Sequence, residues 1–303
     1  MRKLKAGRWM LALGAILLAV LAANAFWFEP ESLTVDRFDV QTPYWPQSTA
    51  PIRAVFLTDL HIDPLHMTPA RVRSIVRRVN ALHPDIVLLG GDYVGTDWLT
   101  VHRMRQLWAR SKADTAREHD GFQALSRLSA PLGVYGVLGN HDCWWSCDEA
   151  ARQLNAAGVH VLINQSARVQ RHDGDLWLAG LANQTTDHPD FAKAMNGVPK
   201  GAALITLIHE PDPFANHPEA KLMLAGHTHA GQVRFPWIGA PIRNSRYLEE
   251  TAKGWLTRGD RILIVSRGLG ESGLPVRFGA PPQIMVLNIH AGKAAAVSML
   301  GRS

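Results

Sequence analysis

Cysteine is almost absent from the 303-residue chain, which has only Cys143 and Cys147. A C-x-x-x-C pair is not the spacing of a zinc knuckle, so no thiolate metal site is expected. Four positions apart, the two thiols can face each other on one helical turn. A bridge there requires an oxidising compartment, and closing so short a loop would stabilise little. Other signatures are missing as well. The stretch "GESGL" (270–274) has a serine but lacks the last glycine of a G-x-S-x-G elbow, which argues against a serine hydrolase. No G-x-x-x-x-G-K-S/T loop occurs, which argues against a P-loop NTPase. No repeat or low-complexity tract stands out, so the body reads as one domain.

Acidic residues are absent before Glu29, whereas Arg2, Lys3, Lys5 and Arg8 precede it. Removing those four from the 32 basic residues leaves 28 against 26 acidic ones. The net charge of +6 therefore sits largely in the N-terminal tail, and no nucleic-acid partner is expected. With 47% apolar and 19% charged residues, the composition is that of a globular protein.

A long apolar run comes directly after the basic tail. Trp9 to Phe28, "WMLALGAILLAVLAANAFWF", has no charge and one amide, Asn24. As a helix it would be about 30 Å long, the thickness of a bilayer core. Trp9, Phe26, Trp27 and Phe28 mark its ends like an aromatic belt. Residues 1–28 are read as a retained single-pass anchor; the alternative is a signal cleaved at Ala23-Asn24-Ala25. The basic flank predicts the N-terminus inside and the body outside. Residues 29–50 read as a linker with an edge strand over Leu33–Val40, and residues 51–303 as the functional domain.

Within that domain, short apolar runs alternate with helical segments. Buried strands are expected at Ile52–Asp59, Asp85–Asp92, Gly133–Asn140, Leu176–Ala182, Ala203–Glu210, Lys221–His227, Arg261–Gly268 and Pro282–His290. Helices are expected at Thr68–His83, with Pro69 near its start, and near Asp148–Gly158. Helices separate the early strands but not the late ones, which predicts an α/β fold of two mixed sheets packed face to face with helices outside.

Five of these strands run out into metal-type ligands: Asp59 and His61, Asp92, Asn140 and His141, His209, and the pair His227 and His229 in "LAGHTHAGQ". Strand ends gather at one edge of such sheets, where sites are built. Carboxylate, imidazole and amide without thiolate suit Mn²⁺, Fe²⁺ or Zn²⁺. Two such ions sharing a carboxylate need about seven protein ligands, and form a clamp for displacement at phosphorus.

The ordered blocks "DLH", "GD", "GNHD", "H" and "GHTH" resemble the calcineurin-like metallophosphoesterase family, over about Arg53 to Ile289. The resemblance implies a four-layer αββα sandwich and two divalent metal ions. It assigns Asp59, His61, Asp92 and His229 to one ion, and Asp92, Asn140, His209 and His227 to the other. His141 would be the catalytic histidine, stabilising charge on the phosphate or protonating the leaving oxygen. His227 and His229 would point the same way along an extended turn, one to each ion. "GHTHAGQ" and Val265–Leu287 look most like the membrane-linked bacterial branch, which includes phosphodiesterases and a UDP-2,3-diacylglucosamine pyrophosphatase. In that reading Arg267 and Arg277 are candidates to contact substrate phosphates; the alternative is that they pair with surface acids of the chain.

One departure is that family phosphatases carry a second aspartate where this chain has Gly95, so Asp97 or Asp142 would have to orient His141. The phosphate-holding arginines before Asn140 are missing too, which argues against a phosphoprotein phosphatase. Asp97–His119 interleaves tryptophan with arginine, fitting either a lid on the bilayer or a helix with a solvated basic face. The expected function is a membrane-associated two-metal phosphoesterase acting on a phosphodiester or pyrophosphate, with a bacterial inner-membrane location and a periplasmic body. The alternative is a catalytically silent metal-binding scaffold.

Overall fold

The computed structural model describes residues 2–95 and 112–303. The N-terminal helix α1 (Arg2–Ala23) continues through a π-helical turn, Asn24–Phe28, and a last turn, Glu29–Glu31. Its segment Arg8–Glu31 is long and apolar enough to cross a membrane. The helix thus runs three residues past the expected boundary at Phe28.

The strands are β1 (Thr34–Thr42), β2 (Ile52–Leu57), β3 (Ile86–Leu89), β4 (Val134–Gly136), β5 (His160–Val161), β6 (Gln165–Val169), β7 (Leu176–Gly180), β8 (Ala203–Leu207), β9 (Leu222–Ala225), β10 (Trp255–Arg258), β11 (Arg261–Val265), β12 (Gln283–Ala291) and β13 (Ala296–Arg302). Among the described residues they form a seven-stranded sheet, β13-β1-β12-β2-β3-β4-β5, and a six-stranded sheet, β10-β11-β9-β8-β7-β6. Both are mixed: β2, β3 and β4 run parallel, as do β7, β8, β9 and β11, while β13 and β10 pair antiparallel at the edges. Strand β1 is not an edge strand as expected. It lies between β12 and β13, because the C-terminal segment returns to cover it.

Side-chain alternation explains the layering. Ala54, Phe56, Ile86 and Leu88 of one sheet meet Ile205, Leu207, Leu222 and Leu224 of the other in one apolar layer. Their neighbours Val55, Leu57, Val87 and Leu89 face outward under α2 (Pro69–Asn80), α3 (Lys112–Leu125) and α4 (Asn140–Ala156). On the far side, Met223, Ala225, Leu263 and Val265 pack with Phe191 and Ala194 of the short α5 (Phe191–Ala194) and with Phe214. Strands buried on both faces read as continuous apolar runs, and the four layers, helix–sheet–sheet–helix, match the expectation. Helix α2 starts where its sequence indicates: Thr68 Oγ1 accepts from Arg71 N at 3.3 Å, and Pro69 follows the cap. Helix α4 begins eight residues earlier than expected, at Asn140, and is kinked where Ser146 adopts φ −177°.

Candidate metal centre

The proposed ligands lie just past the C-terminal ends of β2, β3, β4, β8 and β9, the central parallel strands of the two sheets. Adjacent loops are tied together: Asp59 N donates to Gly91 O at 2.9 Å, His61 N to Asp92 O at 3.0 Å, and Gly226 N to His209 O at 2.9 Å. Five of these residues turn back over the sheet edge through left-handed backbone. Asp59 (φ 53°), His61 (45°), Asp92 (55°), His227 (67°) and His229 (48°) all have positive φ, a conformation that non-glycine residues adopt only when their surroundings impose it. The expected extended turn at His227–His229 is therefore corrected: it is a tight turn, left-handed at both histidines.

The functional atoms converge. Asp59, His61 and His229 form one group able to hold an ion, Asp92, His209 and His227 a second, and His61, Asp92 and His141 a third. His229 Nε2 lies 3.2 Å from Asp59 Oδ1 and 3.1 Å from His61 Nε2. Asp92 Oδ2 sits between the two groups, 3.5 Å from His61 Nε2 and 3.1 Å from His209 Nε2. His227 Nδ1 is 3.3 Å from His209 Nε2. Back-side contacts fix two of the rings: His209 Nδ1 donates to Gly90 O at 2.8 Å and His229 Nδ1 to Gly270 O at 3.1 Å, leaving both Nε2 atoms aimed inward.

Burial opposes ionisation of both carboxylates, yet the histidines hold them down. Asp59, facing His229 and His209, and Asp92, facing His209 and His141, lie well below the usual carboxylate range. Burial lowers His61, His141 and His227, whereas Asp92 outweighs it at His209 and raises that imidazole. Two buried anions ringed by inward-facing imidazole nitrogens suit cations. Asn140 Oδ1, on the residue before His141, fits this too: it is buried with no hydrogen-bond partner among the described residues, the arrangement expected of a metal-type donor.

His141 is buried against the cluster. Its ring stands edge-on to His61, with centroids 4.6 Å apart, and tilts over Trp144 at 4.7 Å. Its Nε2 is 3.4 Å from Ser272 Oγ, and its backbone N–H donates to Asp92 Oδ1 at 2.9 Å. Asp142 does not take the orienting role considered for it. Its oxygens accept from the backbone N–H groups of Asp92, Tyr93, Val94 and Gly139 at 2.8–3.1 Å, so it shapes the Asp92 loop. Burial and the Asp92 charge push Asp142 up to about 7, against those donors. Gly95 admits no side chain here, since a Cβ on it would lie 2.5 Å from Ile62 O. Asp97 and most of the proposed lid lie outside the described residues.

Of the two alternatives for Arg267 and Arg277, the structure shows both paired with acids of the chain. Arg277 is fully buried; it pairs with Glu271 at 2.9 Å and donates to the carbonyls of Arg267, Ala280 and Gly270. Arg267 pairs with Asp36 at 2.9 Å and reaches Thr34 Oγ1 and Pro281 O. Both guanidiniums have internal partners, and Arg277 braces the carbonyl that fixes His229. Sequence reasoning missed Ser272 and Trp144 beside His141. It also missed a cleft of about 390 Å³ next to His227, bounded by Glu210, Asn244 and Arg246. Cys143 and Cys147 are bridged.

A double-sheet sandwich whose strand ends bring together two carboxylate–imidazole groups, with Asp92 between them, has the layout of a metallohydrolase. Residues 52–231 match the calcineurin-like phosphoesterase family, and the chain belongs to that family. It is 26% identical over 286 residues to the uncharacterized metallophosphoesterase YkuE of Bacillus subtilis (strain 168), covering 93% of this chain and 94% of that one. It is 28% identical over 269 residues to the phosphodiesterase YaeI of Escherichia coli (strain K12), covering 81% and 85%. A Danio rerio transmembrane protein with metallophosphoesterase domain is 28% identical over 288 residues, covering 90% of this chain and 61% of that longer protein.

Proposed function

We propose that this protein is a membrane-anchored, two-metal phosphoesterase that hydrolyses a phosphodiester or pyrophosphate bond of a lipid-linked substrate. The observation that carries the reading is Asp92 Oδ2 standing between His61 and His209, where one carboxylate serves both ligand groups. In this reading Asp59, His61, Asp92 and His229 hold one divalent ion, and Asp92, Asn140, His209 and His227 the other. Such ions, when bound, neutralise phosphoryl charge and acidify water. The chain's own part is to fix those ligands and to aim His141 across the cluster as the proton donor to the leaving oxygen. The cleft beside His227 gives a substrate room to approach. The phosphodiesterase name of the E. coli relative favours a diester.

The N-terminal helix is read as a single-pass anchor in a bacterial inner membrane. The tail Arg2, Lys3, Lys5 and Arg8 favours a periplasmic body, and the Cys143–Cys147 bridge fits an oxidising compartment. An envelope phospholipid diester then suits the location better than a cytoplasmic UDP-lipid. The test is hydrolysis by the full-length protein in lipid nanodiscs, offered bis(p-nitrophenyl) phosphate, p-nitrophenyl phosphate, a phospholipid and UDP-diacylglucosamine, with Asp92→Asn as control. Divalent-metal-dependent cleavage of a lipid diester or pyrophosphate, lost in the variant, is expected. Cleavage of the monoester alone would overturn the reading.

A further inference from the structure

Outside the N-terminal helix, ten large apolar side chains are exposed among the described residues. Six of them, Leu65, Phe235, Trp237, Ile238, Ile242 and Leu274, sit on three loops. All three loops are fastened at or beside the foot of that helix. The Leu65 loop is held through His66, 3.5 Å from Glu31, and through Arg71, which donates to Pro30 O at 2.6 Å. In the Leu274 segment, Arg277 N donates to Ala25 O at 2.9 Å, and Ala280 N donates to Glu29 Oε1 at 2.7 Å. The third loop joins this segment at the next residue: Arg234 N donates to Phe278 O at 2.7 Å, Phe278 N to Gln232 O at 3.0 Å, and the rings of Phe235 and Phe278 are 5.5 Å apart.

Phe235–Ile242 is the most exposed of the three. Phe235 and Gly239 exchange two backbone hydrogen bonds of 3.0 Å and hold out a tight turn. Trp237 at its tip is fully exposed, at 103%, and has φ +66°. A bulky aromatic residue in left-handed backbone is strained, and here its ring gains no burial within the chain in return. Ile238 and Ile242 beside it are 72% and 76% exposed. The basic side chains of Arg243 and Arg246 come next and are also largely exposed.

We propose that the Phe235–Ile242 loop inserts into the surface of the bilayer that the N-terminal helix crosses, with Leu65 and Leu274 beside it. The proposal rests on reading that helix as a membrane span. Continuity with the helix identifies the occupant. Ala25, which accepts from Arg277, immediately precedes Phe26, Trp27 and Phe28, and these exposed aromatics mark where such a helix meets the headgroups. The root of the loop is therefore level with the interface. Two residues from Phe235 to Trp237 reach at most about 7 Å, within the roughly 5–10 Å depth of interfacial segments. Arg246 pairs with Asp212 at 2.9 Å, whereas Arg243, 63% exposed and 4.0 Å from Glu249, is the cation beside the loop free to meet anionic headgroups. Because the loop leaves the chain directly after His229 and Gln232, its insertion holds the metal-type cluster against the membrane, and substrate is drawn from the lipid plane.

The test places one nitroxide label in the full-length protein in nanodiscs of 70% phosphatidylethanolamine and 30% phosphatidylglycerol; the native cysteines are bridged, so Ile238→Cys is the only free thiol. Collision with oxygen is compared with collision with a water-soluble nickel chelate. The label at Ile238 is expected to favour oxygen, as one at Phe28→Cys does, while one at exposed Lys200→Cys favours the chelate. Equal access of the chelate to 238 and 200 would overturn the proposal, and an aqueous signal at 28 would remove the span on which it rests. Changing Trp237, Ile238 and Ile242 together to serine is expected to lower turnover of a bilayer-embedded lipid phosphodiester but not of bis(p-nitrophenyl) phosphate. Equal losses on both would also contradict it. The depth measurement needs no turnover, so it decides the loop even where the phosphoesterase reading fails.

Discussion

Gly226 is where packing and chemistry can be perturbed with one methyl group. It joins β9 to His227, and the Thr58–Asp59 turn passes directly against it. A Cβ there would lie 2.2 Å from Thr58 Oγ1 and 2.4 Å from Asp59 Oδ2, whereas carbon–oxygen contacts settle at about 3.3 Å or more. The carboxylate must retreat by about 1 Å, and it is held by Thr58 Oγ1 at 2.8 Å and by His227 N at 3.0 Å. Overpacking of this kind costs about 1–3 kcal/mol, and each kcal/mol lowers Tm by roughly 2–4 °C at this size. Misplacing a reacting arrangement by about 1 Å costs on the order of 100-fold in rate. Gly226→Ala is thus expected to lower Tm by about 2–12 °C, to lower the bound metal, and to reduce diester hydrolysis about 100-fold. Gly301→Ala, with open space around its Cβ, is the control and should change little. Thermal unfolding, elemental analysis and steady-state kinetics give the three readings. A Gly226→Ala protein with wild-type metal content and rate would refute the placement of Asp59.

Asp92→Asn is expected to lower the metal content of both positions together, since one oxygen faces His61 and His209; elemental analysis showing loss of one ion only would contradict the shared role. Asp36, buried between Arg267 and Arg302, concerns stability. Burial raises its pKa, but the two guanidiniums outweigh that and hold it below its ordinary 3.8. Its contribution is therefore fully present above pH 3.8 and is lost as pH falls through the lower folded value. Removing one partner from a buried ion pair costs about 3–5 kcal/mol, so Asp36→Asn should lower the urea midpoint markedly at pH 7. The gap to wild type should narrow only below about pH 4. Thiol titration of denatured, unreduced protein should find no free thiol, and two after reduction.

The strand rhythm and the gathering of Asp and His at the strand ends were legible because they are local: an apolar run that stops at Asp or His shows its boundary in a few residues. The αββα layering could be read from runs too apolar to have a wet face. Features set by long-range partners escaped. Arg267 looks the same in sequence whether it meets a phosphate or Asp36, 231 positions away. The interior position of β1 depends on the weakly patterned C-terminal strand "AVSMLGR" folding back beside it. The left-handed turns at Asp59, His61, Asp92, His227 and His229 were also invisible, since none carries the glycine that normally announces positive φ. Asp142 was recognised as a candidate acid but not as the acceptor for four backbone N–H groups, a role that only the folded loop creates.

The most direct test is a metal titration of the metal-stripped, full-length protein in nanodiscs, with bound Mn²⁺ and bis(p-nitrophenyl) phosphate hydrolysis measured together. Two ions should bind per chain, with activity appearing as the second position fills. Two bound ions without hydrolysis of any phosphoester would contradict the enzyme and leave a metal-binding scaffold.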